Sequence, residues 1–350
     1  MKLTHVRIVG TGLIGTSIGL ALVKRGVSVE VSDSDEKKLQ LARDLIGEFK
    51  EGAKADLVII ATPPDAVLGE LKNEYKSNPQ ATFIDVSSVK LKLLQEVESL
   101  SEIKMRFVAT HPMAGRETGG AQSAQGDLFE GRAWIITPTK SSDSSAISLV
   151  KDFIALLGAT CYEMEASAHD QLMAKISHLP QVLSTSLAGL VSQSGGLDLA
   201  GQGLRDMTRL AASDVSLWSE ILFTNKGEVI EVIKSLNANL NILAEVLQRE
   251  DISGLKKIFN EGNIGRSQLS GKHGAKARNY VNLLIVIEDK PGQLSRLFID
   301  CAEINANIED LAIEHSPEQF TGLITLSFAP EDATRVAEHL TSKSWKVHLS

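Results

Sequence analysis

The sequence has 350 residues, of which 43% are hydrophobic and 23% charged, and its formal net charge is −8. This composition is typical of a globular protein of two or three domains at roughly 150 residues each, and its acidity argues against a general nucleic-acid binder. No segment approaches the roughly 20 apolar residues of a membrane-spanning helix, and Cys161 and Cys301 are too far apart for a CxxC metal site, so we expect a cytoplasmic protein with no metal and no membrane partner.

The first part of the sequence, up to about residue 137, alternates short β-branched runs with stretches long enough for helices. Several runs are apolar without alternation, which is typical of strands covered on both faces. The runs that predict strands are 6–9, 27–31, 57–61, 82–86, 107–110 and 133–137. The pattern predicts an α/β fold with a doubly wound, Rossmann-type parallel sheet, in a dinucleotide-binding domain over residues 1–164.

The middle of the sequence has little strand signal after Cys161. Residues 165 to about 257 show long helical patterns with little β-branched clustering. We therefore predict an all-helical substrate and dimerisation domain over residues 165–270, which would make the protein a homodimer. The next segment is rich in Gly, Ser and Lys, and it predicts a linker over residues 271–278.

The last part of the sequence, residues 279–350, predicts a small separate domain. Its runs indicate strands over 280–287, 308–314, 321–328 and 345–349, and helices over 292–303 and 333–341. The resulting order is βαββαβ, which is the ferredoxin-like unit.

A glycine-rich turn, Gly10-Thr11-Gly12-Leu13-Ile14-Gly15, joins the first predicted strand to the first helix. In this context Gly10 would make the tight turn, Gly12 would let the backbone approach a pyrophosphate, and Gly15 would allow close packing of helix on strand. The free N–H groups at the start of the helix would bind the phosphates. A glycine turn that only packs is the alternative.

Two further segments are predicted to contact the cofactor. Asp33 follows the second strand, where a carboxylate would bind the ribose hydroxyls and repel a 2′-phosphate, so NAD is favoured over NADP. Thr62 and Pro63 follow the strand that ends near residue 61, and they would form another loop on the cofactor side. A plain turn stopped by proline is the alternative there.

His111 follows the strand over 107–110 and is the candidate general base. A residue at the carboxyl end of a parallel strand faces the crevice where such sheets bind ligands. The ordinary pKa of histidine, roughly 6.5, suits proton acceptance near neutral pH. A structural histidine in a loop is the alternative that the residue alone leaves open.

Residues 6–273 resemble the prephenate dehydrogenases in six motifs that occur in the same order. After the glycine turn come Asp85-Val-Ser-Ser88-Val-Lys90, His111-Pro-Met-Ala-Gly115, Ser177-His178-Leu-Pro180, Leu204-Arg-Asp206-Met-Thr-Arg209 and Trp218. The resemblance implies a reaction in which NAD takes a hydride from prephenate while a base takes the hydroxyl proton. Loss of CO2 then gives aromatic 4-hydroxyphenylpyruvate, a step in tyrosine biosynthesis that needs no metal.

The resemblance also implies roles for single residues. His111 matches the catalytic base, and Ser88 matches a serine that hydrogen-bonds in the same polar cluster. Arg209 matches the arginine that grips a substrate carboxylate, for which a planar guanidinium is well suited. The other matches are His178 lining the nicotinamide and substrate pocket, Glu117 at the pocket mouth and Trp218 beside the bound ring. A surface charge at Arg209, a core aromatic at Trp218 and a solvated acid at Glu117 are the alternatives.

The sequence departs from the family pattern in three places. Gln181 stands where a second histidine is frequent, Gln202 interrupts a run of three glycines, and Arg116 replaces a small polar residue. These departures leave open the choice between prephenate and arogenate as the substrate. Two other functions stay open at this point, a dehydrogenase of another small hydroxy acid and a catalytically silent NAD sensor.

Residues 279–350 resemble an ACT domain, the regulatory unit of many amino-acid biosynthetic enzymes. The residues that carry this resemblance are Glu288-Asp289-Lys-Pro291-Gly292-Gln-Leu294 and Asn305-Ala-Asn307-Ile308. It implies an amino-acid effector, tyrosine by analogy with the pathway product. Asp289 would bind its ammonium group, N–H groups near Gly292 its carboxylate, and Asn307 would close the site. An inert dimerisation module is the alternative.

Overall fold

The structure is a computed structural model that describes residues 3–47, 54–115, 119–193, 195–269, 280–288, 290–315 and 321–349. The predicted linker over 271–278 lies outside these residues, as do Glu117 and Asp289. The chain forms two compact units, Met1–Asp251 and Ile252–Ser350. The finer domain boundaries at residues 164, 270 and 279 stay predictions.

The first unit contains a seven-stranded sheet in the order β2-β1-β3-β4-β5-β6-β7. Its strands are β1 (His5–Val9), β2 (Ser28–Ser32), β3 (Leu57–Ile60), β4 (Thr82–Asp85), β5 (Phe107–Pro112), β6 (Ala133–Thr137) and β7 (Thr160–Glu163). The predicted Rossmann-type sheet is confirmed from β1 to β5, where all neighbours run parallel. The chain leaves β1 to one side for β2 and to the other for β3, so the crevice outside the carboxyl ends opens between β1 and β3.

Two features of this sheet differ from the predicted pattern. Strand β6 runs antiparallel to β5, because the described part of the connection between them contains one short 3₁₀ turn and no crossover helix. Strand β7 then pairs with β6 in parallel. The sequence did not indicate β7, whose four residues are mostly exposed and carry no buried apolar run. A strand at the edge of a sheet needs less apolar surface than a central one, so its sequence signal is weak.

Helices cover both faces of the sheet, as the doubly wound prediction requires. The helices of this part are α1 (Leu13–Val23), α2 (Glu36–Ile46), α3 (Val67–Ser77), α4 (Leu91–Glu98), α5 (Ile103–Arg106) and α6 (Ser144–Leu156). Residues of α1, α2 and α6 join one core cluster with the sheet, and residues of α3, α4 and α5 join a second. The strands are apolar on both sides because each side is buried in one of these clusters.

An all-helical block follows the sheet, as predicted. It consists of α7 (Ala166–Met173), α8 (Leu179–Ser192), α9 (Gln202–Thr208), α10 (Val215–Thr224) and α11 (Lys226–Gln248). A π-helical turn, Ala174–His178, joins α7 to α8. Such turns are rare and occur often at functional sites. Helix α12 (Ile252–Ser267) begins the second unit.

The second unit also contains the predicted βαββαβ order. Its elements are β8 (Val281–Glu288), α13 (Gln293–Ala302), β9 (Asp310–His315), β10 (Thr321–Phe328), α14 (Pro330–Ser342) and β11 (Lys346–Leu349). The strands form an antiparallel sheet in the order β11-β8-β10-β9, and alternate residues of β8 and β10 pack with the two helices in one core. Within the described ranges, no helix is long and apolar enough to cross a membrane.

Candidate active site

The glycine turn between β1 and α1 is built so tightly that two positions accept only glycine. Gly10 has a φ of +100°, and a Cβ there would lie 2.4 Å from the carbonyl oxygen of Ala61. A Cβ on Gly15 would lie 2.0 Å from the carbonyl oxygen of Gly10. A Cβ on Gly12 would meet nothing within 4 Å. Gly10 and Gly15 therefore serve packing. Gly12 instead leaves open space before the start of α1, which has no side-chain cap.

Asp33 lies beside this turn, at the end of β2. Its carboxylate accepts hydrogen bonds from the Thr11 N–H at 2.7 Å, the Thr11 hydroxyl at 2.8 Å and the Asp35 N–H at 2.9 Å. Partial burial acts to raise the pKa of Asp33, but these hydrogen bonds outweigh it, and the pKa lies below its ordinary value. The side chain is therefore a fixed anion at the position where a ribose would bind.

The remaining predicted cofactor residues adjoin the same open space. Leu13 and Ile14 are the first residues of α1. Thr62 and Pro63 follow β3, next to the Ala61 carbonyl that packs against Gly10. The Thr62 hydroxyl oxygen is buried and has no hydrogen-bond partner among the described residues. An orphaned hydroxyl, free helix N–H groups and a fixed carboxylate around one space fit a dinucleotide with an unphosphorylated ribose.

His111 lies at the carboxyl end of β5 and forms a chain of hydrogen bonds with two residues of α7. Its Nδ1 lies 2.9 Å from Nε2 of His169, and Nδ1 of His169 lies 2.7 Å from a carboxylate oxygen of Asp170. His169 and Asp170 are buried. Asp170 also accepts the backbone N–H groups of Lys90 and Leu91 at 2.9 Å each, at the start of α4.

This chain of hydrogen bonds determines which nitrogen of His111 is free to act. An ionised carboxylate only accepts, so Nδ1 of His169 carries the proton that it donates to Asp170. In this arrangement Nε2 of His169 accepts from Nδ1–H of His111. Nε2 of His111 then holds a lone pair and can accept a proton from a substrate. The arrangement matches a base whose tautomer is fixed by a buried acid through a second residue.

The surroundings of His111 also keep its ring neutral. Burial lowers the pKa of His111 well below its ordinary value, and electrostatic interactions with His169, Lys90 and His178 lower it further. A half-buried ring that is neutral at physiological pH is ready to accept a proton.

His178, in the π-helical turn, presents the opposite tautomer. Nδ2 of Asn225 donates to the carbonyl oxygen of Asp170 at 2.9 Å and lies 3.2 Å from Nδ1 of His178. Burial lowers the pKa of His178 to about 4, so the ring is neutral. Because Nδ1 accepts from Asn225, the proton is on Nε2, which is buried and has no partner in the described part of the chain. His178 is therefore a buried donor.

Trp218 of α10 packs against His178, and Ser88 lies in the loop after β4. The rings of His178 and Trp218 meet edge to face with 6.1 Å between their centres. Ser88 is half-buried, and none of the hydrogen bonds among the described residues involves its side chain. It lies between Asp85 and Lys90, which form a fully buried ion pair. Among the predicted residues, the structure thus brings Trp218 and His178 together.

Arg209 is exposed at the start of the turn Arg209–Ala212, which packs against α8. The buried side chain of Gln181 donates to the carbonyl oxygen of Leu210 at 2.8 Å and accepts from the Ser213 hydroxyl at 3.4 Å. Gln181 lies in α8, three residues after His178, which ends the preceding π-helical turn. His178 and the residue that contacts the Arg209 turn are therefore neighbours along the chain. No contact joins Arg209 to His111 in the described residues. Their roles as the carboxylate-binding residue and the base stay predictions.

The sequence analysis missed His169, Asp170 and Asn225. The only sequence signal was a histidine followed by an acid inside a helical pattern, which is common and carries no specific meaning. No group of three or more His, Cys, Asp or Glu residues in the described ranges is arranged to hold a metal.

Family models and known proteins match this chain over most of its length. The model described as "Prephenate dehydrogenase, nucleotide-binding domain" matches residues 18–163, and "Prephenate dehydrogenase, dimerization domain" matches residues 165–261. The probable prephenate dehydrogenase NovF of Streptomyces niveus is 29% identical over 97% of this chain and 98% of its own. The prephenate dehydrogenase of Bacillus subtilis is 28% identical over 95% and 94%.

A solved structure matches the part that contains the site. The prephenate dehydrogenase of A. aeolicus, crystallised with hydroxyphenyl propionate and NAD+, has a TM-score of 0.71 and 29% identity. The match covers 77% of this chain and 99% of that one. The matches to the two curated relatives also extend into the C-terminal βαββαβ module, since they cover nearly the whole chain.

Proposed function

Because this chain belongs to the prephenate dehydrogenase family, we propose that it converts prephenate to 4-hydroxyphenylpyruvate and CO2 with NAD as the hydride acceptor. The observation that carries the proposal is the His111–His169–Asp170 chain, which leaves Nε2 of a neutral imidazole as the accepting nitrogen at the carboxyl end of β5. A binding protein would have no use for a base held in one tautomer. A catalytically silent NAD sensor therefore fits this site less well than an enzyme.

The reaction needs one proton acceptor and no net proton. NAD, held by the glycine turn, Asp33 and the Thr62 loop, would supply the acceptor for the hydride on C4 of the substrate. Nε2 of His111 accepts the hydroxyl proton from the same carbon. The ring carboxylate leaves as CO2, and the electron pair of the broken C–C bond completes the aromatic ring. The ring oxygen then needs a proton to become the phenol, and the protonated His111, whose lowered pKa makes it a ready donor, can return it.

The other predicted site residues are assigned to substrate binding. Arg209 would bind a substrate carboxylate, His178 would donate its Nε2–H to an oxygen of the substrate or cofactor, and Trp218 would pack against the ring. Ser88 would hydrogen-bond to the C4 hydroxyl beside His111. If Arg209 binds ground and transition states alike, Arg209→Ala raises KM for prephenate and leaves kcat nearly unchanged.

The test of the function is NADH formation by the purified full-length protein. Prephenate and arogenate are each supplied with NAD and with NADP, and absorbance at the nicotinamide band is followed. We expect turnover of prephenate with NAD, and much weaker turnover with NADP because Asp33 would face the 2′-phosphate. A preference for arogenate would change the substrate but keep the chemistry. No turnover of either substrate, with NAD still bound, would support the sensor instead.

The proposal includes a homodimer formed by the helical block and a reaction that takes place in the cytoplasm. The dimer is supported by the family model for residues 165–261, whose description names dimerisation. It is also supported by apolar side chains that the single chain leaves exposed on α10 and α11, namely Val215, Phe223, Leu240, Ile242 and Leu247. Large apolar side chains left exposed in this number are typical of an interface.

We further assign a regulatory amino-acid site to the C-terminal module, with tyrosine as the effector. A pocket of about 350 Å³ lies at the turn between β8 and α13. Its lining includes the apolar residues Ile287, Leu294 and Ile313, which suit an aromatic ring. Gly292, with a φ of +88°, begins α13 without a side-chain cap and could offer N–H groups to a carboxylate. Asn307 is exposed, and its amide donates to Glu309 at 2.9 Å.

Inhibition by tyrosine tests this site in the full-length enzyme. Tyrosine resembles the reaction product and could also compete at the active site, so the variant Gly292→Asp separates the two effects. Its carboxylate would repel the effector, whereas the active-site residues are untouched. We expect wild-type turnover without tyrosine and loss of inhibition in the variant. Inhibition that is unchanged in Gly292→Asp would assign the effect to the active site.

A further inference from the structure

A buried ion pair lies beneath the candidate active site, in the motif that runs from Asp85 to Lys90. Both side chains are completely buried, and Nζ of Lys90 contacts the carboxylate of Asp85. Nζ also donates to the Ser87 hydroxyl at 3.1 Å and to the carbonyl oxygen of Thr110 at 2.7 Å. An ammonium group has three N–H donors, and all three are used here. The reaction proposed above gives this pair no direct contact with the substrate.

Asp85 is saturated with hydrogen bonds in the same way. One carboxylate oxygen accepts from the backbone N–H of Thr110 at 3.0 Å. The other accepts from the Ser87 N–H at 3.0 Å, and also from the Ser87 hydroxyl and Nζ of Lys90. The hydroxyl of Thr110 donates to the carbonyl oxygen of Asp85 at 2.6 Å. Both polar groups of the Thr110 backbone are therefore held by the ion pair, and Thr110 is the residue directly before His111.

Lys90 reaches His111 by a second route, through its backbone. The N–H of Lys90 donates to Asp170 at 2.9 Å, and Asp170 accepts from His169, which bonds to Nδ1 of His111. One residue thus fixes the backbone before His111 through its side chain and the tautomer of His111 through its main chain. The local structure of β5 alone would fix neither the backbone before His111 nor the tautomer of His111.

We infer that the Asp85–Lys90 ion pair is the positioning device for His111, holding the base in the orientation that proton transfer requires, while the main chain of Lys90 supports its tautomer through Asp170. Lys90 and Asp85 are positioning residues, since they act through Thr110 and Asp170. The inference rests on the proposed function, because it assigns a role in that reaction. Burying an ion pair costs desolvation energy, whereas burying two apolar residues does not. A role in positioning His111 would account for an ion pair at this place despite that cost.

The charges around His111 predict how the pH profile responds. The charged and titratable groups that face it in the described residues are Asp85 and Lys90 before α4, His169 and Asp170 on α7, and His178 in the π-helical turn. Burial is the largest cause of the lowered pKa of His111, and the charge of Lys90 contributes to it. Removing that charge raises the pKa, so the acid limb of kcat/KM moves to higher pH.

The test compares two variants with matched controls in the same sheet. Lys90→Met removes one charge, and Asp85→Asn with Lys90→Met removes both. The controls are Arg7→Met and Arg7→Met with Glu74→Gln, which cut a partly buried ion pair between β1 and α3. Both sets cut an ion pair that links a strand of the sheet to its surroundings, but only the first set adjoins His111.

We expect kcat for prephenate, at the pH optimum, to fall about 10²-fold in both Lys90 variants, as for a base displaced by about 1 Å. The KM for NAD should stay unchanged. The acid limb should move to higher pH in Lys90→Met and return towards the wild-type position in the double variant, where the net charge is restored. Both controls should keep the wild-type kcat and acid limb.

Several results would overturn the inference. One is that Lys90→Met folds and keeps the wild-type kcat. Another is that its acid limb shifts while the plateau of its pH profile is unchanged, which would indicate an electrostatic effect alone. If Lys90→Met does not fold, Ser87→Ala tests the same network without stranding a charge, and a kcat within twofold of wild type contradicts the inference. Absence of prephenate turnover in the wild-type enzyme would instead refute the proposed function.

Discussion

At the scale of single residues, the site presents two neutral histidines with opposite tautomers. His111 offers a lone pair on Nε2 because its Nδ1–H points to His169, and His178 offers a proton on Nε2 because its Nδ1 accepts from Asn225. Different partners fix the two tautomers: His169 on α7 fixes that of His111, and Asn225, between α10 and α11, fixes that of His178. Both rings are neutral before the reaction, so one imidazole can accept a proton while the other donates a hydrogen bond to an anionic oxygen.

Substitution of the base tests the role of His111 directly. We expect His111→Asn to lower kcat for prephenate by roughly 10²–10⁴-fold, because general base catalysis is lost. The NAD dissociation constant should change little, since the glycine turn is untouched. Stopped-flow NADH absorbance and calorimetric NAD titration give the two quantities. The control is His5→Asn, which removes another buried histidine, on β1, and should keep full activity. Equal activity of both variants would exclude His111 as the base.

The buried, neutral His178 predicts that stability depends on pH. Its pKa is about 4 in the folded protein and roughly 6.5 in the unfolded chain. The unfolded state therefore binds the proton first, and stability present above pH 6.5 is lost progressively as the pH falls to 4, by up to about 3 kcal/mol. Urea unfolding at pH 7 and pH 5 should show a smaller difference for His178→Asn than for wild type. The exposed His348→Asn is the control and should behave as wild type.

At the scale of secondary structure, the site is assembled from strand ends and helix starts. β1, β2 and β3 supply the cofactor turn, Asp33 and the Thr62 loop, and β4 and β5 supply Ser88 and His111. The parallel strands β1 to β5 end at one edge of the sheet, which brings these segments into one crevice. The helix starts add N–H donors, to a phosphate at α1 and to Asp170 at α4.

The glycine turn gives a prediction that separates packing from ligand binding. Gly15→Ala should destabilise the protein by about 1–3 kcal/mol, because its Cβ would overlap the backbone of Gly10. Gly12→Ala should leave stability unchanged, since its Cβ meets no protein atom. It should still weaken NAD binding by about ten- to hundredfold, if a clash of about 1–3 kcal/mol arises with the pyrophosphate.

Thermal unfolding without ligand and calorimetric titration with NAD measure these two effects. Gly69→Ala, on the open surface of α3, is the control and should change neither binding nor, beyond a small stabilisation, the melting temperature. Wild-type NAD affinity in Gly12→Ala would place the pyrophosphate elsewhere.

At the scale of the whole molecule, each unit has its own hydrophobic core, but the helical block leaves large apolar side chains exposed. Val215 is 79% exposed and Phe223 is 70% exposed, values that a second copy of the chain would reduce. The proposed dimer would link assembly to chemistry, because the same block carries the predicted site residues His178 and Trp218.

A dimer formed by the helical block predicts a clear response to surface charge. Leu240→Glu with Leu247→Glu places two carboxylates on the exposed apolar face of α11, where burial of unpaired charge is costly. We expect the wild type to have the mass of a dimer in light scattering and the variant that of a monomer. Leu45→Glu, on the exposed face of α2, should remain dimeric. A wild-type monomer, or a variant that stays dimeric, would place the interface elsewhere.

The sequence by itself determined the Rossmann-type core, the helical block, the βαββαβ module and the place of His111 at the carboxyl end of a strand, because periodicity, glycine spacing and the strand-end rule are local properties. It predicted the strand over 133–137 but missed the antiparallel direction of β6, and it also missed the exposed edge strand β7 and the residues His169 and Asp170 beside the base. Only the tertiary structure decided that His169, 58 residues beyond His111, would complete its hydrogen bonds, and that Lys90 would join them to β5. The physical reason is that the pairing of buried polar groups depends on which elements pack together, and packing brings together residues whose separation in sequence carries no pattern.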